Sequence, residues 1–194
     1  SRNPRSTVAT VTEIYDYLRL LFARIGHPHC PNCGREISHL APEQITNMIM
    51  AVGQGSSTKQ VKAMILAPVV KDRKGEYREL FEDLRKRGYK QARVDHQIYD
   101  LSEELVLIKT NKHSIEVVID KIMLSGKTDR SRVSTDVEQG LKFGDGEIIL
   151  TTIKDPGFEI PDKPKKMEDH LYSTKFACPV CNISIPEVEP RIFS

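Results

Sequence analysis

The chain has 194 residues, 39% hydrophobic and 29% charged, with a formal net charge of +2. That composition suits a globular chain with one ordinary domain and one small one, and argues against long disorder. No apolar run reaches the roughly 20 residues that cross a bilayer. No apolar signal-peptide stretch opens the chain, and a charge of +2 does not by itself call for nucleic acid. The expectation is a cytoplasmic protein.

Residues 1–9 are polar and read as extended. Thr10-Val11-Thr12-Glu13 has the form of a capping box, in which hydroxyl and carboxylate each satisfy an orphan amide. Val11, Ile14, Tyr15, Leu18, Leu21, Phe22 and Ile25 then recur at helical spacing as one apolar stripe. Gly26 is placed for a left-handed stop, and Pro28 blocks extension.

Cys30-Pro31-Asn32-Cys33 follows at once, and Cys178-Pro179-Val180-Cys181 lies near the other end; these are the only four cysteines. Each Cys-x-x-Cys turn presents two thiolates, so two such turns can complete a tetrahedral Zn²⁺ sphere. Cys30, Cys33, Cys178 and Cys181 are therefore the candidate ligands of a structural zinc, with residues 34–177 as a long excursion between its halves. Two local disulfides, a redox Cys-x-x-Cys and unrelated free thiols are the alternatives. Pro and Gly beside the pairs favour zinc knuckles. His27 and His29 flank the first knuckle and could replace a cysteine; with four cysteines present they read as exposed.

Residues 37–40 read as a short strand of a zinc ribbon. Pro42 suits the first turn of a helix with Ile45, Met48, Ile49 and Val52 on one face. Gly53, Gly55, Ser56 and Ser57 read as a flexible joint. Residues 61–70 read as a buried strand, and residues 71–75 as a charged turn. Tyr77, Leu80, Phe81 and Leu84 make a helix stripe closed by Gly88. Residues 89–94 and 97–101 read as a hairpin. Residues 115–124, rich in β-branched side chains, form the strongest strand. Val133, Val137 and Leu141 mark a helix, residues 147–153 a strand, and residues 171–177 a strand entering the second knuckle. The order is β-α-β-β-β-α-β. It predicts an α+β fold: a two-layer sheet-and-helix domain, helices on one face, inserted into a small helix plus zinc-ribbon-like module. The expected division is 1–45 for the helix and first half of the metal module, 46–158 for the insert, and 159–194 for the second half.

Two stretches imitate phosphate loops. Ser125-Gly126-Lys127-Thr128 follows a strand, but a P-loop needs a glycine where this chain has Lys121. Gly53-Gln54-Gly55 lacks both strand and spacing. No nucleophile–base arrangement stands out, so no catalytic residue is nominated and no ATP site is expected within this chain. Arg85, Lys86, Arg87, Lys90 and Arg93 cluster, and Lys109, Lys112, Lys121 and Lys127 follow. This is either an ordinary solvated face or a surface for an acidic partner, protein or DNA. Strand alternation puts Tyr89, Gln91 and Arg93 on one side, an expected exposed strip better suited to a protein than to bare phosphate.

Residues 2–8 (Arg-Asn-Pro-Arg-Ser-Thr-Val), 12–26, 66–68 (Leu-Ala-Pro), 112–120 (Lys-His-Ser-Ile-Glu-Val-Val-Ile-Asp), 176–179 (Phe-Ala-Cys-Pro) and 189–194 (Glu-Pro-Arg-Ile-Phe-Ser) resemble, in order, the UvrA family of damage-sensing ATPases in bacterial nucleotide excision repair. The resemblance spans the whole chain. It implies an internal piece holding part of the first signature region, the first zinc module and the inserted domain that binds UvrB. Walker motifs would precede residue 1. The ABC signature and a later DNA-contacting zinc module would follow residue 194, so ATP and damaged duplex DNA would belong to the full-length dimer. In the family, basic side chains on the insert's sheet meet acidic residues of UvrB. The resemblance puts those positions near Gln91 and Lys121. Gln91 stands where relatives often have Arg, and Arg93 is the neighbour placed to compensate. Some relatives lack one of the first two cysteines; this chain keeps all four. The alternative is a basic zinc-containing module contacting duplex DNA; an independent thiol–disulfide oxidoreductase is a further rival.

Overall fold

A computed structural model describes residues 13–37, 39–54, 60–157, 159–178, 180–181, 183–185 and 189–190. The chain divides into two compact units, Ser1–His39 with Lys175–Ser194, and Leu40–Thr174. The expected capping box at residues 10–12, the extended residues 1–9 and the joint at residues 55–57 lie outside the described residues.

The larger unit begins with helix α2 (Pro42–Gln54); α1 (Ile14–Ile25) belongs to the smaller unit. There follow β1 (Val61–Lys74), α3 (Arg78–Lys86), β2 (Gln91–Val94), β3 (Gln97–Asp100), β4 (Lys112–Leu124), α4 (Arg130–Phe143), β5 (Glu147–Ile153) and β6 (Met167–Ser173). The strands form one sheet in the order β3-β2-β4-β1-β5-β6, antiparallel throughout. The α+β class and the β-α-β-β-β-α-β order match the expectation. Alternation along β1 separates two cores. Ala63 and Ile65 point to the helices, where they pack with Ile45 and Ile49 of α2 and Val133, Val137 and Leu141 of α4. Met64 and Leu66 point the other way and join Ile98, Val118 and Ile153. A second cluster on the helix side holds Phe81 and Leu84 of α3 against Ala92, Val94, Ile115 and Val117. Helix α4 lies so close that a Cβ at Gly140 would meet Ile148 Cγ2 at 2.8 Å.

Several local readings are corrected. Residues 71–74 are not a turn: β1 runs on, because β4 continues beside it with Arg73 opposite His113 and Lys74 opposite Lys112. Asp72, at φ 48, sits in a register shift there and pairs with Lys112 at 2.5 Å. The strand expected at 171–177 is two strands. Residues through Ser173 pair with β5 in the large sheet, and β7 (Phe176–Cys178) pairs with β8 (Ile183–Ile185) in the smaller unit. Hence residues 40–45 and 159–174 fall in the larger unit, where Ile45 is fully buried and β6 forms the sheet edge. Among residues 37–40 no strand is described; residue 38 lies outside the described residues, and the nearby ladder is one bridge, His29 to Glu36.

The β2–β3 turn, Asp95-His96, has both residues left-handed (φ 48 and 69), the conformation that joins twisted strands in a two-residue loop. No glycine eases it; side chains do. Asp95 accepts the Ser114 amide at 2.9 Å and His113 Nδ1 at 2.7 Å. The other ring nitrogen of buried His113 faces the Ile108 carbonyl at 3.0 Å. Both neighbours only accept, so both nitrogens donate, and the Asp95 hydrogen bond raises the His113 pKa.

Candidate functional site

The smaller unit is built round its cysteines. Cys30 donates its amide to the Arg35 carbonyl at 2.8 Å and accepts from Gly34 at 2.8 Å, closing a tight knuckle that Gly34 completes at φ +70. The β7–β8 ladder, with Cys178 opposite Ile183, carries the second pair. Cys30 and Cys178 are buried with Ile37, and Phe176 and Cys181 pack at their side. All four sulfurs lie within 4.8 Å of one another, and Cys33 Sγ is 3.6 Å from Cys178 Sγ. A tetrahedron with Zn–S bonds of about 2.3 Å has edges of about 3.8 Å. The donor set therefore fits a tetrahedral, thiophilic ion: four cysteines close together that could hold a metal. All four are free thiols, unlike the disulfide alternative. Amides of Cys181 and Val180 pull the Cys178 thiol down to about 7, whereas hydrogen bonding to Cys33 pushes Cys181 up to about 12. His27 and His29 stay outside the cluster; His27 Nδ1 meets Glu36 at 2.5 Å, and His29 Nδ1 meets the His27 carbonyl at 2.8 Å.

Helix α1 in the same unit has no buried residue, and Ile14, Leu18, Leu21, Phe22 and Ile25 remain exposed. Glu13 is its N-cap, left-handed and without a side-chain cap. Gly26 is extended (φ −66, ψ 140), not left-handed, as the chain heads directly into Pro28.

In the larger unit, Gln91 and Lys121 line one cleft of about 580 Å³, together with Tyr89, Lys90, Asp100 and Asp162. A bulge puts Lys121 there. Opposite β4, Ile65 pairs with Asp120 but Leu66 pairs with Val118, so Ile119 is an extra residue. Without it, period-two alternation would swing Lys121 to the helix face. With it, Ile119 and Asp120 face the helices and Lys121 faces the opposite side, as does Gln91. The Lys121 ammonium meets Asp162 at 3.2 Å. Asp100, opposite Gln91, accepts the Ser102 amide at 2.8 Å, which lowers its pKa.

Arg93 shares that face but not the exposure. It is 2% exposed, so the expected Tyr-Gln-Arg surface strip is corrected at this position. Its Nε donates to Glu116 at 3.1 Å, and its Nη1 to Asp169 at 2.8 Å and Thr151 at 3.3 Å. Those partners stand on β4, β6 and β5, so the sheet curls until β2 and β6 come within one side chain's reach. Burial acts first on both acids: it raises Glu116, while at Asp169 the hydrogen bonds from Arg93 and Thr151 outweigh it and lower the pKa.

β4 meets β2 only at Ile115–Val117, which leaves its later half as an edge. Side chains cap that edge. The Lys121 amide donates to Asp120 Oδ1 at 2.9 Å, and Arg132 donates to the Lys121 carbonyl at 3.4 Å. Thr128 Oγ1 donates to the Met123 carbonyl at 3.1 Å. Arg132 also grips Asp120 at 2.8 and 3.0 Å. Beside this pair, Asp136 Oδ2 is buried without a hydrogen-bond partner. Burial, then the neighbouring Asp120 carboxylate, push the Asp136 pKa up to about 7; protonated, Asp136 donates to Asp120. Between the ordinary carboxyl value and about 7, the unfolded chain has released this proton and the folded chain keeps it. Stability therefore falls as the pH rises across that window and levels above it. Asp136→Asn donates without titrating. It should melt higher than the parent at pH 8, by about 1–2 kcal/mol once partial exposure is discounted, with the gain gone near pH 4. Equal gains at both pH values would contradict the shared proton.

Asp162, Asp120, Arg132 and Asp136 were not legible in the sequence, because a strand bulge and a cross-element carboxyl pair leave no spacing signal. Taken together, the fold and the cluster define a tetracysteine α+β protein of two units. Residues 41–154 match the model of the UvrA interaction domain, and the chain belongs to that family. It is similar to UvrABC system protein A of Clostridium perfringens (45% identity over 100% of this chain and 19% of that protein). It is similar also to those of Methanothermobacter thermautotrophicus (46%, 99% and 19%) and Deinococcus radiodurans (46%, 100% and 18%). The chain thus spans about a fifth of the length of the curated relatives it matches. Among the described residues no helix is long and apolar enough to cross a membrane.

Proposed function

We propose that this chain is the UvrB-docking and zinc-clasped module of a UvrA protein, acting in the cytoplasm in nucleotide excision repair. It is non-catalytic by itself; ATP and damaged DNA are handled by the rest of the protein. The smaller unit carries one structural Zn²⁺ on Cys30, Cys33, Cys178 and Cys181. The larger unit presents Gln91 and Lys121 to acidic groups of UvrB, and Arg93 supports that face from beneath.

The observation that carries the docking reading is the joint placement of Gln91 and Lys121 in one cleft, on a domain of the interaction family. Gln91 offers a neutral amide donor and Lys121 a charge, so the cation dominates recognition of a carboxylate. The test is a charge reversal. Lys121→Glu should weaken UvrB binding at least tenfold, since a like charge at an interface costs more than a missing contact. Lys74→Glu, far along β1, should leave affinity within twofold. Equal affinities for the two variants would remove Lys121 from the interface.

A further inference from the structure

We propose that Asp162 is a built-in stand-in for the acidic group Lys121 receives from its partner, held over the cleft by the β5–β6 connection acting as a strap. This rests on the docking reading above and adds a competitor within the chain.

The strap is tied at its base. Lys154 donates its amide to the Lys166 carbonyl at 2.8 Å, and Asp155 Oδ2 accepts the amides of Lys165 and Lys166 at 2.8 and 3.0 Å. The Lys62 ammonium bonds the Asp155 carbonyl and, at 3.1 Å, that of Gly157. Pro156, Pro161 and Pro164 restrict the backbone between. Ile160 is sunk against the cluster of Met64, Leu66, Ile98, Val118 and Ile153. The strap's course is thus set by contacts that do not involve Asp162.

Two residues beyond that anchor, Asp162 has an 89% exposed side chain, and Lys121 is its one partner among the described residues. Lys121 is only 24% exposed, with its backbone groups already engaged by Asp120 and Arg132. So a largely buried lysine side chain on a fixed backbone faces an almost fully exposed carboxylate. An ion pair this exposed adds little to folding. It matters at docking, where an incoming carboxylate competes for the same ammonium.

The experiment compares UvrB affinity of the full-length protein with Asp162→Asn, Lys121→Glu and the double variant, by titration calorimetry at low and high salt, with melting temperatures as the folding control. Asp162→Asn should tighten binding about two- to fivefold at low salt and less at high salt. In the Lys121→Glu background it should change nothing. If Asp162→Asn leaves affinity unchanged or weakens it while Lys121→Glu still weakens binding, the stand-in is rejected and the docking reading survives. Tightening of the same size in the Lys121→Glu background also rejects it, as a general charge effect. Parental affinity for Lys121→Glu sinks the docking reading, and this proposal with it.

Discussion

With the zinc proposed above on Cys30, Cys33, Cys178 and Cys181, a chelator added to natively purified protein is expected to unfold the smaller unit and leave the larger one standing. The reason is the size of the smaller unit's core. Its buried cluster among the described residues is Cys30, Ile37 and Cys178, with Phe176 and Cys181 at the side, and α1 adds no buried residue. The apolar groups among the described residues are too few to offset the entropy of ordering two knuckles and a hairpin of two three-residue strands. Zinc–thiolate bonds can, because a structural Zn²⁺ contributes on the order of 10 kcal/mol. Zinc content should be one ion per chain in the parent and near zero in Cys178→Ser. The variant should show rapid proteolysis within residues 13–37 while the main melting transition persists. A parent purified without zinc, or a Cys178→Ser variant as resistant as the parent, would refute the clasp.

Arg93→Ala is the second large effect, and it falls on the other unit. The substitution strands Glu116 and Asp169 on the concave face of the sheet, with side chains only 10% and 30% exposed. Breaking a buried ion pair from one side costs about 3–5 kcal/mol, mostly the uncompensated charge left behind. For a domain of this size that lowers the melting temperature by roughly 10 °C or more. Replacing Arg93, Glu116 and Asp169 together with apolar residues of similar volume should recover most of the loss, since the desolvation penalty goes with the charges. Urea midpoints of the single and triple variants check both statements; a single-variant loss below about 1 kcal/mol would mean that the three charges are solvated after all.

How far the sequence could be read varies by element, for physical reasons. Apolar and β-branched runs mark β1, β4 and β5 because burial on both faces demands them. Gly88 marks the end of α3, where it takes φ +87. The charged residues 71–74 misled because solvent-facing side chains say nothing of whether the backbone is still paired. Met48 falls on the apolar face that spacing gives α2 but remains exposed, since spacing gives a helix stripe without its width. The Asp95-His96 turn needs left-handed residues that neither side chain advertises; its support comes from Ser114 and His113 on a neighbouring strand.

The sequence alone determined the nomination of four cysteines, because two thiolate pairs at that spacing can complete a tetrahedral sphere, and the α+β order, because periodicity reports which faces want burial. Tertiary structure decided which way Lys121 faces and that Arg93 is an interior group. One unpaired residue, Ile119, reverses the facing of everything after it on β4, and the curl of the sheet carries β2 across to β5 and β6. Both are consequences of how distant strands register against one another, which no local spacing records.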